Sequence, residues 1–311
     1  MAEFERAAVL GAGVIGASWT ALFLARGLSV QVYDPAEGAE ERVRAYVAQA
    51  WPTLEQLGLT EKGDPERLTM HRAPAAAVRD ADFVQENVPE RLEIKHALFA
   101  EIEPHLAPEA IVASSASGLM VREMQQGWRD PSRFLLGHPF NPPHLIPLVE
   151  LIANEATGDG VLEAAEAFYA RIGKVTIRVK REVPGHVANR LQAALWREAI
   201  HLVASGVASV EDVDKAVWSG PGLRWAAMGP HMLFHLGAGP GGLDEFCTRY
   251  RDSFHRWWAD LGAPELTPEL AAALAGGVAE EANGRDVSSA AAERDALILA
   301  TLQATRDLRS R

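Results

Sequence analysis

The chain has 311 residues, 48% of them hydrophobic and 23% charged, and carries a net charge of −12 at pH 7. That length suits two domains better than one, and the composition is ordinary for a globular protein with a sizeable core. The acidic surplus argues against nucleic acid and against anionic membrane surfaces as partners, while a phosphate-bearing ligand is still admissible because local geometry binds it.

A single cysteine, Cys247, rules out an internal disulfide and a cysteine-based zinc site. It fits a reducing compartment, so a cytoplasmic protein without a metal is expected. The start, Met1-Ala2-Glu3-Phe4-Glu5-Arg6, is acidic and shows no signal peptide. No apolar run approaches ~18 residues, so no membrane span is expected.

Arg6 to Leu10 reads as a short buried strand, and Gly11-Ala12-Gly13-Val14-Ile15-Gly16 follows at once. Residues 17–25 have helical apolar spacing ended by Gly27, and a second strand, 28–33, ends in Asp34. Gly11 permits the tight turn, Gly13 lets backbone approach a pyrophosphate, and Gly16 lets helix pack on strand. The helix N-terminus offers unpaired N–H groups to the phosphates. Asp34 stands where an acid accepts from the adenosine ribose hydroxyls and would repel a 2′-phosphate, so NAD is favoured over NADP. The plainer alternative is a tight turn with no ligand.

A long helix is expected over 36–57, with Val43, Tyr46, Val47, Ala50 and Leu54 at i, i+3, i+4 spacing and Pro52 as a possible kink. Residues 58–65 are polar and loop-like. The next strand, 81–85, ends in Glu86-Asn87-Val88-Pro89-Glu90. Parallel strands carry ligand residues at their carboxyl ends, which makes Asn87, Glu90 and Lys95 candidates to line a cofactor cleft; the alternative for Lys95 is a solvated helix residue. Strand 110–113 runs into Ser114-Ser115-Ala116-Ser117-Gly118-Leu119 and then a helix. Ser115 and Ser117 are either helix caps or catalytic groups.

The apolar run Phe134-Leu135-Leu136 leads to Gly137-His138-Pro139-Phe140-Asn141-Pro142-Pro143, and Glu150 follows 12 residues after His138 inside Leu148-Val149-Glu150-Leu151-Ile152. Two buried strands joined by a stiff loop would set His138 at the mouth of a cleft with Glu150 beside it. A buried acid is costly unless paired. An imidazole partner makes the pair either a general base of fixed tautomer or an ion pair that only holds the loop. A helix over about 160–172 and a strand over 174–179 complete an α/β, Rossmann-type doubly wound, largely parallel sheet.

At Arg181-Glu182-Val183-Pro184-Gly185 the strands stop, which sets domain boundaries of 1–182 and 183–311. A helix over 187–204 carries Asn189 near its start. A second begins near Ser209, with Glu211 and Asp212 in its first turn, and ends at Ser219-Gly220-Pro221-Gly222. Turns at 229–230, 237–242 and 262–268 separate further helices, giving an all-α C-terminal domain. Segments such as His201-Leu202-Val203 and Leu297-Ile298-Leu299 make these helices apolar on more than one face, which points to a homodimer interface or to a domain core.

With these residues in hand, the chain resembles the short-chain L-3-hydroxyacyl-CoA dehydrogenase superfamily over its whole length. The likeness is carried by Gly11–Gly16 with Asp34, by Glu86–Glu90 with Lys95, by Ser114–Gly118, by Gly137–Pro143 through Glu150, and by Val183-Pro184-Gly185-His186-Val187-Ala188-Asn189-Arg190-Leu191. The resemblance implies an NAD-dependent dehydrogenase whose catalytic set falls on Ser117, His138, Glu150 and Asn189. His138 is then the base, Glu150 orients it and stabilises its cation, and Ser117 and Asn189 hold the substrate oxygen. The cofactor contacts expected are Gly11, Gly13, Val14, Ile15, Gly16, Asp34, Glu90 and Lys95. His186 departs from a position usually apolar or aromatic in the family.

Leu195-Trp196-Arg197-Glu198-Ala199 and Gly222-Leu223-Arg224-Trp225-Ala226-Ala227-Met228-Gly229, among others, are similar to the carnitine 3-dehydrogenases. Gly229-Pro230 and Cys247-Thr248-Arg249-Tyr250 lean towards the lambda-crystallin/L-gulonate 3-dehydrogenase group. Oxidation of a small 3-hydroxy acid, L-carnitine first, is therefore expected, with L-gulonate or a 3-hydroxyacyl-CoA ester as alternatives and a non-catalytic crystallin-like protein as the third class. Trp196, Trp218, Trp225, Trp257 and Trp258 all lie in the second half. Aromatic faces bind trimethylammonium groups, though tryptophans at a helical dimer interface are usually packing.

Overall fold

The computed structural model describes residues 4–309; Met1-Ala2-Glu3 of the acidic start and the last two residues lie outside them. The chain forms two compact units, divided between Ala188 and Asn189. The division falls later than the Pro184-Gly185 break because the amides of Val187 and Ala188 donate to Glu150 and so belong with the sheet.

The first unit is built on eight strands: β1 (Arg6–Leu10), β2 (Ser29–Tyr33), β3 (Leu68–His71), β4 (Phe83–Glu86), β5 (Ile111–Ser114), β6 (Phe134–Pro139), β7 (Leu148–Ile152) and β8 (Val175–Arg178). Their order in the sheet is β3-β2-β1-β4-β5-β6-β7-β8. All neighbours are parallel except β6 and β7, which are antiparallel. The helices of this unit are α1 (Val14–Ala25), α2 (Ala39–Gln56), α3 (Pro74–Val78), α4 (Leu92–Ile102), α5 (Val121–Gln125) and α6 (Val161–Arg171).

The central strands are buried on both faces, as a doubly wound sheet requires. In β1, Ala7 and Val9 join a core with Trp19, Phe23, Val43, Val47 and Phe168, while Ala8 and Leu10 join another with Val78, Phe99, Ile102 and Met124. Period-2 alternation thus feeds two layers of helices. The strand order turns at the β1–β4 pair, the switch point where open α/β sheets bind ligands beyond the carboxyl ends of their strands. β3 and α3 occupy a stretch with little periodic signal: of the four residues in β3 only Leu68 is buried.

The second unit holds α7 (Ala188–Ala204) from its second residue on, α8 (Val210–Ser219), α9 (Pro221–Ala227), α10 (Pro230–Gly237), α11 (Gly242–Asp260), α12 (Pro268–Ala282) and α13 (Val287–Arg309). Their starts follow local chemistry. The Ser209 hydroxyl caps α8 by accepting from the Asp212 amide, the Thr267 hydroxyl caps α12 by accepting from Leu270, and prolines open α9, α10 and α12. Phe234, Phe246, Tyr250, Phe254 and Trp257 form a chain of ring contacts. Many large apolar side chains of this unit are exposed, among them Leu191, Trp196, Trp218, Leu223, Trp257, Trp258 and Leu297. Among the described residues no helix is long and apolar enough to cross a membrane, and no group of His, Cys, Asp or Glu is arranged to hold a metal ion.

Candidate active site

The glycine turn sits at the carboxyl end of β1. Gly11 has φ 82°, and a Cβ there would lie 2.8 Å from the Asn87 carbonyl. A Cβ on Gly16 would lie 1.9 Å from the Gly11 carbonyl oxygen, so helix α1 can approach the strand only through glycine. A Cβ on Gly13 would meet nothing within 4 Å, which leaves its face open to a ligand. Gly13 is also the N-cap of α1, and no side chain caps the helix start. Val14 on the first turn is exposed and Ile15 is half-buried. Asp34, just beyond β2, accepts from the Ala12 amide at 2.7 Å and from the Ala36 amide at 2.8 Å, so it holds the turn while keeping lone pairs for a ribose. This cradle fits a dinucleotide: open backbone at a helix start, with an acid at the end of the next strand.

One placement differs from the sequence reading. Lys95 is expected on the cleft wall, yet it is 1% exposed and its ammonium lies 2.6 and 2.7 Å from the two oxygens of Glu86. Glu86, the last residue of β4, is fully buried and needs that counter-charge; the Ser114 hydroxyl and the Val88 amide complete its shell. Glu90, also expected against the cofactor, turns both oxygens to the serine loop. It accepts from the amides of Ser117, Gly118 and Leu119, and from the Ser117 hydroxyl at 2.9 Å. Burial raises its pKa, but these bonds outweigh burial and hold the carboxyl below its ordinary range.

The serines do not cap a helix. α5 starts after Met120, whose amide donates to Glu123. The Ser115 hydroxyl is used up in a polar chain: it accepts from Gln85 at 2.8 Å and from the Trp19 indole, and donates to Asn87 at 2.7 Å. Tyr169 anchors the far end of that chain by donating to Gln85. Gly137 is required here because a Cβ would run into the Tyr169 hydroxyl.

His138 lies inside β6 rather than beyond it, because the ladder continues through the pair Pro139–Val149. Its register partner across the antiparallel pair is Glu150. The imidazole Nδ1 is 2.8 Å from one Glu150 oxygen, and the other oxygen accepts from the Val187 amide at 2.9 Å and the Ala188 amide at 3.0 Å. Glu150 is wholly buried. Burial raises its pKa, yet the bonds from His138, Ala188 and Val187 more than offset this and hold it below the usual carboxylate range. A carboxylate accepts only, so Nδ1 carries the proton and Nε2 is the basic nitrogen. Among the described residues no hydrogen bond engages Nε2.

The loop between β6 and β7 contains a cis peptide bond at Asn141-Pro142. Lys174 pins it from below, donating to the carbonyls of Pro143 and Ile146 and lying 4.8 Å from the centre of the Trp19 ring. No signal in the sequence marks Lys174, Glu86 or the Glu90 clamp, since each depends on a partner far along the chain. Asn189, expected to hold the substrate oxygen, is the first residue of the second unit and follows Ala188 directly.

The family profile described as the NAD binding domain of 3-hydroxyacyl-CoA dehydrogenase matches residues 6–183, and that of the C-terminal domain matches 185–280. The chain belongs to the 3-hydroxyacyl-CoA dehydrogenase family. It is an NAD-dependent dehydrogenase, and its NAD binding domain is the part of the chain that contains the glycine cradle. It is 48% identical to an L-carnitine dehydrogenase of Streptomyces coelicolor, over 97% of this chain and 95% of that one. It is 41% identical to an L-carnitine dehydrogenase of Pseudomonas putida, over 98% and 95%. Among solved structures it resembles 5-formyl-3-hydroxy-2-methylpyridine 4-carboxylic acid 5-dehydrogenase, an NAD+-dependent dismutase, with a TM-score of 0.83 at 30% identity, covering 98% of this chain and 99% of that one.

Proposed function

We propose that this dehydrogenase oxidises the 3-hydroxyl of L-carnitine to 3-dehydrocarnitine, with His138 as the general base. The observation that carries the chemistry is the 2.8 Å bond from His138 Nδ1 to the buried Glu150 carboxylate. It leaves Nε2 as the site that takes the substrate O–H proton as the C3–O bond becomes a carbonyl. NAD, when bound, supplies the acceptor for the hydride leaving C3. The Glu150 carboxylate, held ionised by two amides, stabilises the imidazolium so formed. Ser117 is assigned one contact to the substrate oxygen; its hydroxyl, which donates to Glu90, turns its proton to that oxygen there, because the single O–H proton of the substrate goes to His138. Asn189 is assigned the other contact to that oxygen. Gly11, Gly13, Val14, Ile15, Gly16 and Asp34 bind the cofactor, while Glu90 and Lys95 hold the loops around it.

The choice of L-carnitine is supported by relatives of that name at 41–48% identity over nearly the whole chain. The exposed apolar side chains of the second unit support a homodimer, and the single cysteine supports a cytoplasmic enzyme. NADH formation across L-carnitine, L-gulonate, 3-hydroxybutyrate and 3-hydroxybutyryl-CoA tests the reading. L-Carnitine should give the highest kcat/KM; activity on the CoA ester alone would overturn it.

A further inference from the structure

His186 is a buried side chain beside the dyad to which the chemistry above gives no task. It is 2% exposed, and its ring centre lies 5.2 Å from that of His138, with the planes 60° apart. Among the described residues neither ring nitrogen has a hydrogen-bond partner. Burial, then the neighbouring His138, hold its pKa below the ordinary histidine value; Glu150, the Ala116 backbone and Glu90 oppose this without reversing it. The Ala116 group is near enough to be felt but does not meet hydrogen-bond geometry. The ring is therefore neutral, with one N–H and one lone pair.

The backbone accounts for where the residue sits, not for what it is. His186 has φ 49°, next to Gly185 at 74°. Its amide closes a turn on the Val183 carbonyl at 3.0 Å, and that turn aims the next two amides at Glu150. A phenyl ring would fill the same space with no polar atom to desolvate. An imidazole buried with both nitrogens unpaired is destabilising by comparison. Such an orphan is accounted for by a partner that the protein itself does not supply.

We propose that His186 is a substrate-binding residue whose ring N–H donates to the carboxylate of the bound 3-hydroxy acid while His138 receives its hydroxyl proton. The proposal rests on the hydroxy-acid reading above. In such a substrate the carboxyl carbon is two carbons from the carbinol, so its two polar ends match two adjacent rings. A neutral donor serves here where a cation would not, because a charge on His186 would oppose the proton arriving on His138. A carboxylate is also a stronger acceptor than the carbonyl of an ester or thioester, so the contact favours the free acid.

The test is His186→Phe in the full chain, with steady-state kinetics on L-carnitine and on its methyl ester, and NAD titration alongside. The KM for the acid should rise roughly ten- to a hundredfold, the loss of one hydrogen bond to a charged group. The fall in kcat should be smaller, and the KM for the ester and the NAD affinity should be unmoved. His186→Gln, which restores an N–H, should recover part of the loss. An unchanged KM for the acid, or equal rises for acid and ester, overturns the proposal and reduces His186 to ring packing. Wild-type activity on 3-hydroxybutyryl-CoA but on no free acid overturns the carnitine reading and this proposal together. Activity on the acid with kinetics unmoved by His186→Phe overturns this proposal alone.

Discussion

Replacing Glu150 by glutamine changes one atom and one charge, and the structure states what each does. The amide oxygen can still accept from the Val187 and Ala188 amides, now 2.9 and 3.0 Å from the carboxylate. The amide nitrogen then faces His138 Nδ1, where a carboxylate oxygen stood at 2.8 Å. Two donors cannot meet, so Nδ1 gives up its proton and Nε2 takes it. The basic nitrogen becomes a donor, and the base is lost without moving the ring. Turnover should fall by about 10²–10⁴, the usual worth of general acid–base catalysis. Stability should fall by only about 1–3 kcal/mol, because two of three bonds persist in neutral form. Because the folded pKa of Glu150 is lowered, the wild type's advantage is present above the ordinary carboxylate range and fades as the pH falls through the lowered value. The assay is the initial rate of NADH formation with L-carnitine, with circular dichroism and NAD affinity as controls. A kcat within about threefold of wild type, far short of a general-base loss, would refute the assignment and leave the dyad a structural ion pair.

Other perturbations separate cofactor binding from folding. Asp34→Ala should weaken NAD by about ten- to a hundredfold, a loss of one or two charge-assisted bonds, and narrow the preference over NADP; equal use of both cofactors by the wild type would contradict the ribose role. Gly13→Ala places its methyl in open space, so melting should be unchanged while NAD titration shows weaker binding. Gly16→Ala drives a methyl to 1.9 Å from the Gly11 oxygen, so melting and NAD binding should both suffer; a Gly16→Ala protein with wild-type NAD affinity would sink the packing argument. Burial pushes the Lys174 ammonium down to about 7. The unfolded chain therefore holds that proton between about pH 7 and its ordinary value while the folded protein does not. Stability relative to Lys174→Met should climb across that window, by up to ~1.4 kcal/mol per pH unit. Denaturant titrations giving a pH-independent difference would refute it.

The parts of this fold that were legible in the sequence are those whose signals are local. The glycine turn, the acid after the second strand, the apolar runs of β5 and β6, and the Gly/Pro breaks between the later helices each declare themselves within a few residues. The His138–Glu150 pair was legible because both ends of one antiparallel hairpin carry it. What was not legible depends on distant partners. Lys95 looks like any helix lysine until Glu86 is seen buried beside it. Glu90 gives no sign in the sequence of its bonds to the serine loop, and β3 has a single buried side chain to announce it. Nor does spacing reveal that the Ser115 hydroxyl is used up by Gln85, Trp19 and Asn87.

Among the described residues the sheet buries two carboxylates completely, Glu86 and Glu150, and solves them in opposite ways. Glu86 meets an ammonium whose donors are spread over both its oxygens and the Val88 carbonyl, with Ser114 and the Val88 amide filling the rest. Every position around that pair is occupied, so it can brace the ends of β4 and β5 but has no face left for a substrate. Glu150 meets an imidazole, a group with two nitrogens on opposite sides of one ring. The carboxylate engages Nδ1 and the far side, Nε2, is left over. The same burial that requires a counter-charge therefore produces a brace in one case and a base in the other, and the difference lies in the partner. Lysine would satisfy Glu150 equally well and would remove the base: His138→Lys should keep the fold and lower turnover by about 10²–10⁴ or more. Turnover by that variant within about tenfold of wild type, short of a general-base loss, would show that the proton leaves by another route.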